Sequence, residues 1–156
     1  MSEIEFRAPK NSNELKEYDL FRWSLLRKPI GKSIESLKDK YDSLAFHLIG
    51  IKQGKIVACG RLHFNNLNEA QIRYMAVDNS LQKQGIGKKI LVLLEEKAKK
   101  KNARKIILNA RNHAVMFYKK SGYAVLGKYT GSDTEIPHTS MEKPSDHCPV
   151  WLELSE

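Results

Sequence analysis

The sequence predicts an α/β fold in which a central mixed sheet is flanked by helices. First, segments with a period-two apolar pattern and segments with a helical pattern follow one another in the order β-α-α-β-β-β-α-β-α-β-β. Second, the strand–helix–strand unit at 70–108 implies a parallel pair, whereas the three consecutive strands at 44–77 form an antiparallel meander. Because no repeat or Pro/Gly/Ser-rich linker divides the chain, we predict one domain over 1–143. The tail, 144–156, is expected to pack on this domain or on a partner subunit.

The N-terminal part is predicted to hold one short strand and two helices. Residues 4–8 alternate between apolar and polar side chains, which is typical of a strand. Asn11 or Ser12 can cap a helix with a broad apolar stripe, and this helix ends before Pro29. A second, weaker helical pattern covers residues 33–42.

Three strands separated by turn residues are predicted next. They cover residues 44–52, 56–64 and 70–77. The first two are joined by Gln53-Gly54, which is a predicted hairpin turn, and the polar run 65–68 has turn chemistry.

Helices and strands are predicted to alternate in the C-terminal half. The loop Gln82–Gly87 opens a helix that continues to about Lys101, and a shorter helix covers 112–120. Gly122 is suited to the left-handed position that follows a helix. Strands are predicted at 104–108, 123–129 and 136–142, and Pro144 and Pro149 are expected to break the tail. The buried face of the longer helix is predicted to consist of Ile86, Ile90, Leu93, Leu94 and Ala98.

The composition indicates a soluble protein of the cytoplasm without a metal site. No apolar run approaches the ~20 residues that a membrane span needs, and the acidic N-terminus shows no secretory signal. Cys59 and Cys148 give neither a disulfide framework nor a paired-cysteine metal signature, so Cys59 is expected to be a core thiol. The net charge of +9 favours a polyanionic partner, and nine lysines or arginines lie between residues 83 and 105.

The loop Gln82–Gly87 has the features of an anion-binding site. The first N–H groups of the helix that follows have no partner within the helix, and they lie at the positive end of its dipole. Gly85 and Gly87 allow a phosphate to approach the backbone closely, because no Cβ intervenes. Additional donors are expected from Gln82, Lys83, Gln84, Lys88 and Lys89.

Two common phosphate-loop patterns do not fit this loop. The dinucleotide pattern G-x-G-x-x-G lacks its third glycine, because Ile90 stands there. The nucleoside triphosphate pattern lacks its first glycine, and Lys89 stands where it needs serine or threonine. The loop instead matches the pattern [QR]-x-x-G-x-[GA] at Gln82, Gly85 and Gly87, which is the signature of GNAT acetyltransferases.

Two further segments resemble the same superfamily. Tyr74–Asp78 resembles the family's strand before the loop, and Asn112–Tyr123 resembles its later helix and the start of the next strand. The order of elements from 4 to 142 is also similar to that of the family, so the chain is identified as a member of the GNAT superfamily. The segment Ile136–Met141 is similar to the I-P-H-x-x-M ending of the ElaA-like bacterial subgroup.

The resemblance implies a reaction and a set of site residues. It implies that a primary amine attacks the thioester of acetyl-coenzyme A directly, while both are held in one site. Tyr118 has the position of the tyrosine that protonates the leaving thiolate, and His138 lies near the acceptor end, where an imidazole suits a general base. The residues implied in coenzyme binding are Met75, Ala76, Val77, Gln82, Lys83, Gln84, Gly85, Ile86, Gly87, Lys88, Asn112 and Tyr118.

Several of these roles have structural alternatives. Asn112 also suits a helix N-cap, and Tyr118 a packing position beside Phe117. Glu69 or a water relay is an alternative base. Arg73 and Tyr74 are candidates for the acceptor pocket, but as neighbours on one strand they point to opposite faces, so only one can line it.

Two rival functions stay open at this point. One is an acyl-coenzyme A-binding regulatory domain of the same fold without catalysis. The other is a basic nucleic-acid-binding module, although the basic run 97–104 contains no aromatic residue, so nucleic acid is not expected as a partner. The amine acceptor and the oligomeric state, including a homodimer, are left open by the sequence.

Overall fold

A computed structural model describes residues 3–129 and 136–144 of the chain. Its seven strands form a mixed sheet in the order β1-β2-β3-β4-β5-β7-β6, which confirms the predicted α/β fold class. The elements are β1 (Glu5–Arg7), α1 (Ser12–Leu26), β2 (Phe46–Lys52), β3 (Lys55–Phe64), β4 (Glu69–Val77), α2 (Ile86–Lys100), β5 (Lys105–Arg111), α3 (Val115–Lys120), β6 (Ala124–Tyr129) and β7 (His138–Pro144).

The second predicted α-helix, at 33–42, is wrong. Within 33–42 the chain forms one short 3-10 turn, Ile34–Leu37, and it is already extended at Lys38. Another 3-10 turn, Lys28–Ile30, precedes this segment. Leu37 is the only buried residue of the turn Ile34–Leu37, so there is no apolar stripe to hold a longer helix against the core.

Other differences concern where elements begin and end. Ile86, Ile90, Leu94 and Ala98 are buried on α2 as predicted, but Leu91 is fully buried in place of Leu93, which is only half-buried. The segment Asn112–Ala114 is a 3-10 turn, and the α-helix begins only at Val115. Pro144 is the last residue of β7, opposite Lys105, whereas Pro149 and the rest of the predicted tail, 145–156, lie outside the described residues. No helix in the described part of the chain is long and apolar enough to cross a membrane.

Two predicted turns are confirmed by their backbone angles. Gln53 and Gly54 both have positive φ, 52° and 77°, as the central residues of a type I′ hairpin require. Gly122, which follows α3, has φ 98°. Few residues other than glycine adopt this region without strain, which explains why the sequence signals these turns clearly.

The internal contacts divide the fold into two compact units. The described residues of Met1–His63 and Tyr74–Leu94 form the first unit, and those of Phe64–Arg73 and Glu95–Glu156 form the second. β4 and α2 each contribute residues to both. The prediction of a single domain over 1–143 stays a prediction.

The first unit combines α1, the antiparallel strands β1 to β3, the end of β4 and the start of α2. Asn11 caps α1 as predicted, because its side chain accepts a hydrogen bond from the backbone of Glu14 at 2.9 Å. Gly60 on β3 lets α2 approach closely: a Cβ there would lie 2.8 Å from both Ile90 and Leu94. The start of α2 is therefore fixed against β3 at a distance that only glycine allows.

The second unit is built around β5. The first residues of β4 pair with β5 in parallel, with Glu69 opposite Lys105 and Ile72 opposite Leu108, as the strand–helix–strand pattern predicted. β7 pairs with β5 and with β6, antiparallel in both cases. The core of this unit includes Met141 and Tyr123.

A half-buried histidine, His47, links α1 to β2 in the first unit. The hydroxyl of Tyr18 donates to His47 Nδ1 at 2.6 Å, and His47 Nε2 donates to the carbonyl of Asp42 at 2.7 Å. Burial lowers the pKa of His47, although the neighbouring Asp42 opposes this effect. The ring is therefore held neutral.

We expect the free energy of unfolding to decrease as the pH falls below about 6.5, the ordinary pKa of histidine. The unfolded chain binds a proton at His47 near that pH, whereas the folded chain binds it only at lower pH, so acid favours unfolding in this window. Urea denaturation at pH 8, 6 and 5 measures the effect. A His47→Gln variant should lack this part of the pH dependence, and an equal loss in both proteins would contradict the prediction.

Candidate functional site

The loop between β4 and α2 turns sharply at two left-handed residues. Lys83 has φ 66° and Gly85 has φ 82°. A Cβ added at Gly85 would meet no atom within 4 Å, so the space over this backbone is open. The loop from Gln82 to Gly85 is exposed, whereas Ile86 is buried and anchors the start of the helix.

The first turn of α2 carries no acidic side chain that would offset the helix dipole. The first backbone bond of the helix runs from Lys89 N–H to the Gly85 carbonyl at 3.1 Å, so the N–H groups of the three preceding residues have no acceptor within the helix. Lys88 and Lys89 are exposed beside them. This arrangement fits the phosphates of a polyanionic ligand.

Two side chains fix the loop to the end of β4. Gln82 Nε2 donates to the Val77 carbonyl at 3.2 Å and to Asn79 Oδ1 at 3.1 Å. Asp78 accepts hydrogen bonds from the hydroxyl and the backbone N–H of Ser80, and these lower the pKa of Asp78. We expected Gln82 to offer a donor to phosphate, but both of its amide hydrogens are used within the loop. Gln82 thus brings the loop and the strand end together.

The strand that precedes the loop contains a backbone outlier. Tyr74 lies within β4 but has φ 58°, a conformation that is rare for a bulky side chain. The three residues that follow it are those predicted to bind the pantetheine arm, namely Met75, Ala76 and Val77. Such strain costs about 1–3 kcal/mol and occurs preferentially at functional sites. Tyr74 is also the buried one of the two acceptor-pocket candidates, because Arg73 is only half-buried.

Three arginines surround the ring of Tyr74, and we call this group the arginine cluster. The guanidinium carbons of Arg22, Arg27 and Arg61 lie 5.3, 5.2 and 4.9 Å from the ring centroid. All three side chains are almost completely buried. This cluster was not predicted from the sequence. The residue that could have indicated it is Arg61, a charged residue in the middle of the otherwise apolar run of β3.

Carboxylates pair with two of the three arginines. Asp39 binds Arg61 with two hydrogen bonds of 2.9 Å, one to each terminal nitrogen. Asp42 binds Arg22 at 3.1 and 3.2 Å and Arg61 at 3.2 Å. Burial alone would raise the pKa of Asp42, but the hydrogen bonds and the positive charge of Arg22, together with the charge of Lys38, lower it to about 2. These paired charges explain how Arg22 and Arg61 are tolerated in the interior.

Tyr118 belongs to the second unit. Its ring is buried, with edge-to-face contacts to Phe117 at 5.0 Å and to Tyr123 at 5.8 Å between centroids. Burial raises the pKa of Tyr118, so the phenol stays protonated at neutral pH. Its hydroxyl makes no hydrogen bond to another described residue, whereas the Tyr123 hydroxyl donates to Glu95 at 2.9 Å. Tyr118 therefore has the packing role and retains a proton that it can donate.

Asn112 and His138 lie at the same end of the second unit's strands. Asn112 directly follows β5, and its exposed side chain caps neither the 3-10 turn nor α3, so the N-cap alternative is wrong. His138 begins β7 opposite Arg111, and its Nδ1 donates to the Ile136 carbonyl at 2.6 Å. Because Nδ1 carries the hydrogen, the basic lone pair of the neutral ring is on Nε2.

Glu69, the alternative base, has other partners. Its carboxylate accepts a hydrogen bond from Asn65 at 2.8 Å and forms an ion pair with Lys105 at 3.4 Å. These contacts fix the turn before β4 to the start of β5. These contacts make Glu69 a weaker candidate for the base than His138, whose neutral ring has its basic lone pair on Nε2.

The geometry of the loop, the helix start and the preceding strand can be compared with known proteins. A family model described as "Acetyltransferase (GNAT) domain" matches residues 26–145. The chain belongs to the GNAT acetyltransferase family. The "Uncharacterized N-acetyltransferase YjcF" of Bacillus subtilis (strain 168) is 31% identical to it over 134 residues, which are 86% of this chain and 95% of YjcF.

Two solved GNAT-type structures share the fold at low sequence identity. ElaA of Escherichia coli has a TM-score of 0.68 at 18% identity, over 92% of this chain and 99% of ElaA. An aminoglycoside 6'-N-acetyltransferase complexed with coenzyme A has a TM-score of 0.74 at 16% identity, over 94% of this chain and 99% of its own. At these identities the likeness extends to the fold alone, so membership of the ElaA-like subgroup stays a prediction.

Proposed function

We propose that this GNAT protein is a cytoplasmic N-acetyltransferase that moves an acetyl group from acetyl-coenzyme A to a primary amine. The observation that carries the proposal is the start of α2, where a glycine loop exposes helix N–H groups with no acidic side chain to offset the dipole. Family membership supports the reaction class. Cys59 is a buried core thiol with a pKa that burial raises, so it is not a candidate for a covalent acyl carrier.

The first unit is proposed to bind the coenzyme. The backbone of Gly85, Ile86 and Gly87 would take the pyrophosphate, with Lys83, Lys88 and Gln84 as exposed donors around it. Backbone groups of Met75, Ala76 and Val77 would hold the pantetheine arm and the thioester, and Asn112 would add a side-chain hydrogen bond. When bound, the coenzyme supplies an acetyl group activated as a thioester.

Two residues are proposed to move protons. His138 Nε2 is proposed to accept a proton from the amine, which must be neutral to attack. Tyr118 is proposed to donate its phenolic proton to the leaving sulfur, because its raised pKa keeps the proton in place until a thiolate forms. Each residue would thus hold the protonation state that its step needs at neutral pH.

We expect Tyr118→Phe to lower kcat by about 100-fold, the lower end of the range for loss of a general acid, with little change in acetyl-coenzyme A affinity. The hydroxyl makes no hydrogen bond to the described residues, so its removal should not disturb the fold. Release of free thiol with a panel of amines measures kcat, and calorimetry measures the affinity.

The matched control is Tyr123→Phe, which removes a hydroxyl from the ring next to Tyr118. This variant loses the hydrogen bond to Glu95 and should be less stable by about 1 kcal/mol, with kcat unchanged. Unchanged turnover in Tyr118→Phe would exclude the acid role. If the wild type binds the coenzyme but releases no thiol with any amine, the catalytically silent regulatory domain is the better interpretation.

A further inference from the structure

We propose that the amine acceptor also carries a carboxylate, and that Arg27 binds this carboxylate. The inference deepens the proposed N-acetyltransferase function and rests on it. It concerns only residues of the first unit, and its starting point is the one arginine of the arginine cluster for which the described residues provide no carboxylate.

Arg27 is a buried cation without an ion pair among the described residues. Its side chain is 4% exposed, yet its Nη1 makes only a long hydrogen bond of 3.4 Å, to the carbonyl of Leu26. Its Nε is fully buried and has no hydrogen-bond partner in the described part of the chain. A buried guanidinium that lacks a partner is costly, so the arrangement points to a ligand that supplies the acceptor atoms.

Arg22 and Arg61 show that the other buried guanidinium groups of the cluster have carboxylate partners, although Arg61 Nε, like Arg27 Nε, has no hydrogen-bond partner among the described residues. Both are fully buried, and both have Asp42 as a partner, with Asp19 added for Arg22 and Asp39 for Arg61. Arg27 is the exception within a group whose other members are paired.

Among the described residues, the charges around Tyr74 leave an excess of one positive charge. His47 and His63 accept hydrogen bonds at Nδ1, from Tyr18 and Arg61 respectively, and so add no charge. The cluster and its ion-pair partners comprise four cations, Arg22, Arg27, Lys38 and Arg61, against three carboxylates, Asp19, Asp39 and Asp42. One monoanion would balance this excess.

The chemistry of the excess charge favours a carboxylate over a phosphate. A planar guanidinium presents two parallel N–H groups that match the two oxygens of a carboxylate. A phosphate dianion would exceed the single net charge of the cluster and its ion-pair partners among the described residues.

The position of Arg27 relates this carboxylate to the reaction. Its guanidinium lies 5.2 Å from the ring of Tyr74, the residue immediately before the segment that is proposed to hold the thioester. Tyr74 has the left-handed backbone described above, so the ring and the strand end are held in one fixed arrangement. A carboxylate at Arg27 would therefore orient the acceptor molecule with respect to the end of β4.

The test compares acids with their carboxamides as acceptors. The probes are the standard L-amino acids and the ω-amino acids from glycine to 6-aminohexanoate, each paired with its carboxamide and assayed by thiol release. In the wild type we expect the best acids to have a KM about 10- to 100-fold lower than their carboxamides, the ratio for one charge-assisted hydrogen-bond pair. In Arg27→Met this preference should disappear.

The ratio of the KM of each carboxamide to the KM of its acid is compared between the wild type and Arg27→Met. Because both proteins are assayed with the same two amines, differences in amine basicity cancel, and the change in this ratio measures the role of Arg27. Arg27→Lys keeps the charge but loses the two parallel N–H groups of the guanidinium, so it should retain only a small part of the preference for acids. Arg27→Met should have an equal or higher urea midpoint, because it removes an unpaired buried charge. An acid preference that persists in Arg27→Met, or none in the wild type, would overturn the proposal.

A second experiment distinguishes failure of the carboxylate proposal from failure of the proposed N-acetyltransferase function. If no amine releases thiol, the same acids and carboxamides are tested as ligands by their effect on the melting temperature in the presence of coenzyme A. Stabilisation by acids in the wild type, absent with carboxamides and in Arg27→Met, would support the carboxylate site without catalysis. No stabilisation by any acid would overturn it.

Discussion

Replacing Gly85 by leucine is expected to weaken coenzyme A binding by about 100-fold to 10,000-fold. A side chain at this position would stand over the backbone that phosphates must approach and would block two or three hydrogen bonds to charged oxygens, each worth about 1.5–3 kcal/mol. The residue also has φ 82°, which leucine adopts only with strain. Calorimetric titration with coenzyme A measures the loss.

Gly54→Leu is the matched control for this experiment. Gly54 has φ 77°, and a Cβ there also meets no atom within 4 Å, but it lies in the hairpin between β2 and β3. Both variants should lose a similar amount of stability, about 1–2 kcal/mol, from the left-handed backbone. Only Gly85→Leu should lose coenzyme affinity; normal affinity in that variant would exclude the loop as the phosphate site.

Arg22→Met is expected to reduce the free energy of unfolding by about 3–5 kcal/mol, the usual cost of removing one partner from a buried ion pair. Arg22 is fully buried, donates to Asp19 and Asp42, and stacks on the ring of Tyr18 at 4.3 Å. Without Arg22, the carboxylates of Asp19 and Asp42, which are largely shielded from solvent, have too little positive charge next to them. Urea denaturation at pH 7 measures the change.

Lys38→Met removes a cation from the same two carboxylates and serves as the control. Lys38 Nζ lies 2.9 Å from Asp19 and 3.2 Å from Asp42, but half of the side chain is exposed. Solvent screening should limit the loss to about 1 kcal/mol or less. Equal losses of unfolding free energy in Arg22→Met and Lys38→Met would contradict the prediction that burial makes the ion pairs of Arg22 more stabilising.

The pair of variants at Arg22 and Arg27 separates two kinds of buried arginine. Arg22 has protein carboxylates, so its removal should destabilise the fold, whereas Arg27 has none among the described residues and its removal should not. A buried charge that does not stabilise the fold is expected to have a function.

The sequence was informative wherever a structure depends on residues that are close in the chain. The hairpin at Gln53-Gly54, the cap at Asn11 and the glycine loop before α2 all follow from local backbone preferences. The same is true of the strand–helix–strand order that gives the parallel pairing of β4 and β5.

The sequence was misleading where a weak local pattern was overruled by packing. Residues 33–42 contain a helical pattern, but this segment instead places Asp39 and Asp42 against Arg61 and Arg22 of the interior. Ion pairs between residues about 20 positions apart in the chain leave no periodic signal. On α2 the helical period predicted Ile90 and Leu94 correctly, but it did not distinguish Leu93 from Leu91, which is the residue that packing buries.

The mixed α/β sheet and the glycine loop that is proposed to bind phosphate could both be predicted from the sequence, because both depend on short-range patterns of apolar residues and glycines. The tertiary structure alone decided which charged side chains are buried. Arg27 is one of 27 lysines and arginines in the chain, and nothing in its neighbours marks it. It becomes exceptional only when its side chain is buried against the ring of Tyr74, beside which Arg22 and Arg61 also lie, because the free energy of a buried charge depends on partners that are distant in the chain.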